Sequence, residues 1–422
     1  MHKYFSYTLY LTKSIGFSKG LFIFAHTNKH YINMKQPILF FSALVMLISS
    51  CTNSSFEGPA EGSVVINHSI PSTHISCKEA IEIASNVTNQ GNRTRSNSYE
   101  ISYIMRSHQT RGENEIGDTL AYVINFEKDN GFAIIASDSR VYPILAFSEN
   151  GTFDTNNPIA NENFLGRIEP YMDNACTQTR SISYPGDYTY KIPPVRVAPM
   201  LTTTLNQWSP YNKYVAQRKP GFPAGCIPLA TASIISHVKE TLTYNGHTYN
   251  FKAINNGIGG DGSLMSYSEA TDKMARFICD LGIAMKVEFD EENIQTLCGI
   301  AEPLREFWNT SCNIMTQTTD NHPIMFKYND QKVVEFLHDS CYIYITGYNP
   351  DYPKYEQGHG WVIDGCAYYL NMDMALGKNV KTCIYLHCDW GWGGQGNGYF
   401  TGEIFNPLDG YKYTDFDYAA IK

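Results

Sequence analysis

The stretch Pro223-Ala224-Gly225-Cys226-Ile227-Pro228-Leu229-Ala230-Thr231-Ala232-Ser233-Ile234-Ile235 constrains this chain most, because it sets a glycine and a cysteine at the opening of an apolar helix. A thiol there feels the positive end of the helix dipole, which favours the thiolate and makes the sulfur a nucleophile. A buried cysteine at an ordinary helix start fits the same residues, since cysteine is among the most buried residue types. The choice turns on whether the rest of the chain supplies a base, an orienter for that base and a donor for a developing oxyanion.

The chain has 422 residues, enough for two or three domains and a sizeable core. Its formal charge of -9 and the lack of any basic stripe argue against nucleic acid as a partner. Thirty tyrosines, 22 phenylalanines and 32 glycines favour strands and turns over a helical bundle. The 11 cysteines are scattered with no CxxC pair, so neither a zinc ribbon nor a small disulfide scaffold is indicated. The odd count means that, in an exported chain, at least one thiol has a job other than pairing.

An export signal is expected, displaced from residue 1. Met34 and Lys35 precede an apolar run from Ile38 to Ile48, followed by Ser49, Ser50 and Cys51. The run is shorter than the about 20 apolar residues that span a bilayer. It resembles a bacterial lipoprotein signal in which Cys51 is the lipidated first residue, so that residues 1–51 are an upstream extension plus signal peptide. Membrane contact would then be through the lipid anchor only. The expected location is the outer membrane or cell surface, with release after maturation as a further option. Residues 52–75 are polar and small, as expected of a tether.

Beyond the tether, a helix is predicted over Cys77 to Val87 and strands over Ala121 to Phe126, Phe132 to Ala136 and Tyr142 to Phe147, with a turn at Asp129-Asn130-Gly131. A helix over Asn163 to Ala175 completes a small α+β domain, residues 76–175. The proline-spotted stretch 176–198 reads as an exposed activation linker. Residues 199–422 form the second domain. Helices are predicted after Cys226, over Tyr267 to Leu281 and over Gln331 to Leu337, and strands over Cys341 to Thr346, Trp361 to Ile363 and Thr382 to Cys388. Helices followed by strands read as α+β.

Twelve histidines could serve as the base. His237 lies on the same helix as Cys226, about 16 Å away along the axis, and is excluded. His359 is better placed, flanked by Gly358 and Gly360 at the head of a buried strand, although a structural histidine would look the same there. The run His387-Cys388-Asp389-Trp390-Gly391-Trp392-Gly393-Gly394 offers an acidic orienter followed by an indole that shields its hydrogen bond from water. A sugar-binding aromatic platform is the main competing reading. Metal ligation by His387, Cys388 and Asp389 is weaker, because neighbours on a strand point to opposite faces. Upstream, the amide of Gln207 could donate to an oxyanion together with the backbone N–H of Cys226.

With NQWSPYN, GCIPLATASIISH, GHGWVIDG and DWGWGGQGNGYF in that order, the sequence resembles the streptopain family of secreted bacterial cysteine peptidases, a branch of the papain-like superfamily. Weaker agreement covers Lys273 to Asp290. The upstream block AYVINFEKDNGFAIIASDSRVYPILAFSENGTF looks like that family's propeptide, so the resemblance extends over residues 75–422. It implies a papain-like peptidase of two subdomains, one helical and one antiparallel β, behind a small α+β propeptide domain. It also implies Cys226 as nucleophile, His359 as general base and acid, Gln207 as oxyanion donor, and Asp389 as orienter with Trp390 covering it. The partners would be protein or peptide substrates and the chain's own propeptide as intramolecular inhibitor, and no metal or organic cofactor is implied.

Three positions depart from the family pattern. Pro228 stands where a small residue is usual, although a proline fits a first helical turn. Asp389 stands where asparagine is usual. The segment Asp290 to Cys298 is acidic where a glycine- and serine-rich substrate-side loop is expected. Pro228 and Asp389 motivate an alternative, an inactive homologue acting as a binding or inhibitory protein, and the tryptophan run motivates another, a surface glycan-binding lipoprotein.

Overall fold

The computed structural model describes residues 73–88, 98–106, 119–127, 129–156, 164, 166–178, 193–290, 295–297, 326–348, 358–368, 384–405 and 416–422. All of them fall in one compact unit that begins at Ser69. Cys51, the apolar run before it and most of the tether lie outside the described residues.

The first elements are α1 (Cys77–Thr88), β1 (Tyr99–Met105), β2 (Thr119–Phe126), β3 (Phe132–Ala136), β4 (Ile144–Ser148) and α2 (Gly166–Gln178). Helix α1 starts at a reciprocal cap: the Ser76 hydroxyl accepts from the Glu79 N–H, and the Glu79 carboxylate accepts from the Ser76 N–H at 2.7 Å. Its apolar face, including Ala80, Ala84 and Val87, is buried with Tyr122, Ile124 and Ile135 of the sheet. Strand β1 falls in a stretch whose Asn, Arg and Ser content hides its period, and it pairs antiparallel with β2 from Tyr99↔Phe126 to Met105↔Thr119.

The second part holds β5 (Val195–Val197), α3 (Lys213–Arg218), α4 (Cys226–Val238), the hairpin β6 (Thr241–Tyr244) and β7 (His247–Asn250), α5 (Phe251–Ile258) and α6 (Tyr267–Ala284). Then follow the short pair β8 (Glu288–Asp290) and β9 (Gln295–Leu297), β10 (Phe326–Lys327), α7 (Asp330–His338), β11 (Tyr342–Tyr348), β12 (Gly358–Tyr368), β13 (Ile384–Asp389), β14 (Gly398–Thr401) and β15 (Phe416–Ile421). Helices α6 and α7 start at side-chain caps from Ser266 and Asn329. Helix α4 starts at Gly225 with φ 93° and no side-chain cap, so its first N–H groups stay available to whatever lies at its head.

The fold is α+β, as the sequence predicts, but the two sheets expected of two domains are one. An 11-stranded sheet runs β1-β2-β3-β4-β14-β13-β12-β11-β15-β10, with β5 added against β12. The seam is β4 on β14, with Phe147↔Tyr399 and Ala146↔Phe400 in register. Each strand would otherwise present an unpaired edge of N–H and C=O groups, and abutting the two satisfies both. Of the linker expected over 176–198, residues 179–192 lie outside the described residues. Helix α2 runs on to Gln178, and Val195 and Val197 pair with Ala367 and Cys366 of β12.

One core continues across the seam. Phe153 packs against Phe132, Phe164 and Phe400 with ring centroids 5.3, 6.1 and 6.2 Å away. Arg167 of α2 is buried, donates from Nε to the Ile404 carbonyl at 2.8 Å, and lies over the Phe416 ring. Burial pushes its pKa down to about 10. A second cluster, with Leu229, Ile234, Phe251, Phe277 and Leu281, fills the space between α4, α5 and α6 and reaches Tyr344 and Val362 of the sheet.

Candidate active site

The site forms where the head of α4 meets the start of β12. Gly360 makes this approach possible: a Cβ built on it would lie 3.1 Å from the Ile227 side chain. Burial raises the pKa of the Cys226 thiol, and the neighbouring N–H groups of Gly360, Ile227 and Cys226 itself oppose that by favouring the thiolate. The nucleophile candidate is therefore beside the residue that follows His359, as the order of the motifs predicts. Pro228 is accommodated in the first turn of α4, where the helix runs unbroken to Val238.

His359 is buried, and its Nε2–H donates to the main-chain carbonyl of Trp390 at 2.9 Å. That bond fixes the tautomer and leaves Nδ1 as the nitrogen able to take a proton. Desolvation pulls the imidazole down to about 4, with the Trp390 bond pulling weakly the other way. Burial thus pushes both groups toward their neutral forms, the thiol up and the imidazole down.

Asp389 is next to this bond without being its acceptor. Its Oδ1 accepts from the Gly391 N–H at 2.9 Å, across the turn that aims the Trp390 carbonyl at the imidazole. The partner of the ring is thus a backbone carbonyl rather than the carboxylate that the sequence suggested. A carbonyl has no residue signature, which is why the motif pointed one residue too early. Gly391 has φ 76°, and a Cβ there would lie 2.7 Å from Leu229 Cδ2, so the turn presses directly on α4. Burial is the main reason the Asp389 carboxyl is pushed up to about 6, with the Gly391 bond opposing and the Asp364 charge adding.

The tryptophans enclose the imidazole. Trp361, Trp390 and Trp392 stack near parallel to His359 with centroids 6.0, 6.4 and 5.5 Å away. Trp361 and Trp390 are fully buried. Rings packed on one another and on a histidine are not an exposed platform for sugars, and the glycan-binding reading loses its motivation.

Gln207 is buried beside the same helix head, its carbonyl accepting from the Ala224 N–H at 2.7 Å. The structure thus gathers Gln207, Cys226, His359, Asp389 and Trp390 around one helix terminus. His237 is far down α4, where its Nδ1–H donates to the Ser233 carbonyl. The acidic segment that replaces the expected flexible loop has its flanks zipped into β8 and β9, with Phe289↔Thr296 in register. Phe289 packs edge-on against Phe222 in the loop leading to Cys226. The glycines flanking His359 were legible as a place of close approach, and Gly360 is where it happens, whereas sequence reading passed over Gly391, whose only signal is that a glycine follows the tryptophan.

Comparison with known proteins matches residues 205–400 to the Peptidase C10 family and residues 72–169 to the Spi protease inhibitor family. Streptopain of Streptococcus pyogenes serotype M28 is 25% identical over 328 residues, covering 69% of this chain and 76% of streptopain, and that of serotype M1 is equally similar. Among solved structures, a fragment of Prevotella intermedia prointerpain A is 19% identical with a TM-score of 0.49, covering 76% of this chain and 98% of the fragment. Active interpain A of the same organism is 22% identical with a TM-score of 0.34, covering 53% of this chain and 93% of that one.

Proposed function

The chain belongs to the streptopain family of cysteine peptidases and carries its propeptide in front, and from that premise we propose that it is an exported, lipid-anchored endopeptidase made as a zymogen. The observation that carries the catalytic part is the close approach of Gly360 to the uncapped head of α4 that bears Cys226, beside a histidine whose tautomer is fixed by the Trp390 carbonyl.

In this reading Nδ1 of His359 takes the thiol proton as sulfur attacks the scissile carbonyl. The amide of Gln207 and the Cys226 N–H hold the oxyanion. Collapse breaks the C–N bond, the imidazolium returns its proton to the leaving amine, and the acyl group stays on sulfur. Water, deprotonated by the same nitrogen, then releases the acid and regenerates the thiol. The alternative of an inactive homologue rests on Pro228 and Asp389, and both fit the helix and turn without disturbing the other residues.

Incubating residues 52–422 under reducing conditions is expected to shed the propeptide and generate activity against an unfolded protein, whereas Cys226→Ala stays full length. A wild type that stays intact even with trace active homologue, and a matured Cys226 no faster than a free thiol towards iodoacetamide, would refute the peptidase reading. The anchor rests on the Met34 to Cys51 pattern. Expressed from Met34 in a lipoprotein-processing bacterium, the chain should take up labelled palmitate, and Cys51→Ser should not; equal labelling of the two rules it out.

A further inference from the structure

Residues 200–207 connect β5 to the loop that bears Gln207 and belong to no named strand. Burial alternates along them, with Thr203, Leu205 and Gln207 inside and Thr202 and Thr204 exposed, as in a strap laid over the protein. At its far end the Leu205 carbonyl accepts from Gly393 N–H and the Gln207 carbonyl from Ala224 N–H, both at 2.7 Å. These bonds fix the strap against the tryptophan turn and the helix head.

The near end is held by a carboxylate that the catalytic motifs do not use. Asp364 is fully buried in β12, five residues beyond His359, at the irregularity between Ile363 and Gly365 where β12 loses register with β13. A bulge re-aims a side chain out of the strand's regular alternation. Here Oδ2 accepts from the Leu201 N–H at 2.8 Å, the Asp364 main-chain carbonyl accepts from the Met200 N–H at 3.2 Å, and Oδ1 accepts from the His387 Nδ1–H at 2.6 Å. One residue later along the strap, the Thr202 N–H donates to Nε2 of His237, whose Nδ1–H is engaged by Ser233 in α4. A buried carboxylate is costly unless it is satisfied, and a site that needed only bulk would hold an apolar side chain.

We propose that Asp364 is a positioning residue for the reaction proposed above, on which this inference rests: it fixes the strap along its length, and with it the placement of Gln207 against Cys226, with His237 as a second tether. The residue excluded as a base acquires a role in holding the oxyanion donor. An oxyanion donor acts only if it is held in place before charge develops, so slack in the strap is felt in the transition state and not in substrate binding.

The test uses two readouts. In steady-state peptide hydrolysis, Asp364→Ala should lower kcat by about tenfold to a hundredfold with KM within about twofold. Asp364→Asn keeps an acceptor for the Leu201 N–H and should recover most of that loss, and His237→Ala should lower kcat by less than Asp364→Ala. In full-length chains carrying Cys226→Ala, hydrogen exchange of the Leu201 to Gln207 amides should accelerate about tenfold or more with Asp364→Ala, with the β2 and β3 amides unchanged. Unchanged exchange in the strap overturns the proposal, as does unchanged kcat or an Asn variant as impaired as the Ala one. Should Asp364→Ala not fold, His237→Ala decides by the same two readouts. Absence of hydrolysis by the wild type would sink the peptidase reading alone, because the exchange result judges the tether without activity.

Discussion

Two seams meet in this molecule and are built on opposite principles. The catalytic seam, where α4 lies on β12 and on the turn after β13, is a close approach through residues without side chains, Gly360 and Gly391, with polar groups at its centre. The seam between the propeptide and the peptidase is aromatic. Phe147 stacks on Tyr399 at 5.2 Å, Phe153 and Phe164 pack on Phe400, the Tyr385 hydroxyl donates to the Ile144 carbonyl, and Arg167 is sunk beneath Phe416. The seam that maturation, as proposed above, would have to open is thus built like a domain core and the other like a joint. Cutting the chain between α2 and β5 would leave every one of these contacts in place.

The largest test of that contrast is Phe153→Ala. Emptying this site should cost about 3–5 kcal/mol in the unfolding of the full-length chain, the usual range for a buried phenylalanine. In a Cys226→Ala background nicked between α2 and β5, the two pieces of the parent should co-elute on gel filtration and those of the Phe153→Ala chain should separate. Co-elution of the Phe153→Ala pieces would show that the aromatic seam is not what holds them.

A smaller effect is expected at the catalytic seam from Asp389→Asn. The carboxyl is held at about 6 by burial against an ordinary value of 3.8. The folded state therefore binds its proton more tightly than the unfolded chain, and stability is lost as pH rises through that window, by up to about 3 kcal/mol. Asparagine can keep the Gly391 N–H bond without carrying charge. The variant should match wild type near pH 4 and exceed it at pH 7 to 8 in urea unfolding. His359 titrates with the opposite sign, since an imidazole held at about 4 favours folding above its ordinary value of 6.5 and stops doing so as pH falls towards 4. Removing Asp389 should therefore unmask a rise in stability from pH 4 to 6.5 that the wild type largely cancels. A gain of the same size at pH 4.5 and 8 would contradict the buried charge. Hydrolysis should survive, because the acceptor of the His359 bond is a carbonyl.

Much of the fold was legible where apolar periodicity was strong. The helices at Cys77, Cys226, Tyr267 and Asp330 and the strands through Ile134, Ile345, Trp361 and Leu386 all lie where hydrophobic pattern and turn residues predict them. The misses have local causes. Strand β1 leaves Tyr99, Tyr103 and Met105 exposed, so its apolar residues do not mark a buried face, and hairpin β6–β7 is mostly exposed around Asn245 and Gly246. Strands β14 and β15 are hidden in a tail where glycine and tyrosine blur the alternation. The same limit applied at the site. Cys226, His359 and Gln207 announce themselves by residue type and neighbours, whereas the Trp390 carbonyl and the bulge at Asp364 are backbone features that any side chain could accompany.

The sequence by itself determined which groups could do chemistry and in what chain order, because thiol, imidazole and amide are properties of residues. It also determined that Gly225, with φ 93°, could open the helix under the thiol. Only the tertiary structure decided that the imidazole answers to a main-chain carbonyl, that Asp364 grips the strap leading to Gln207, and that β4 closes onto β14 to make one sheet from two. These depend on which backbone edges and buried charges are left over after each segment has folded, and those are satisfied between segments far apart in the chain.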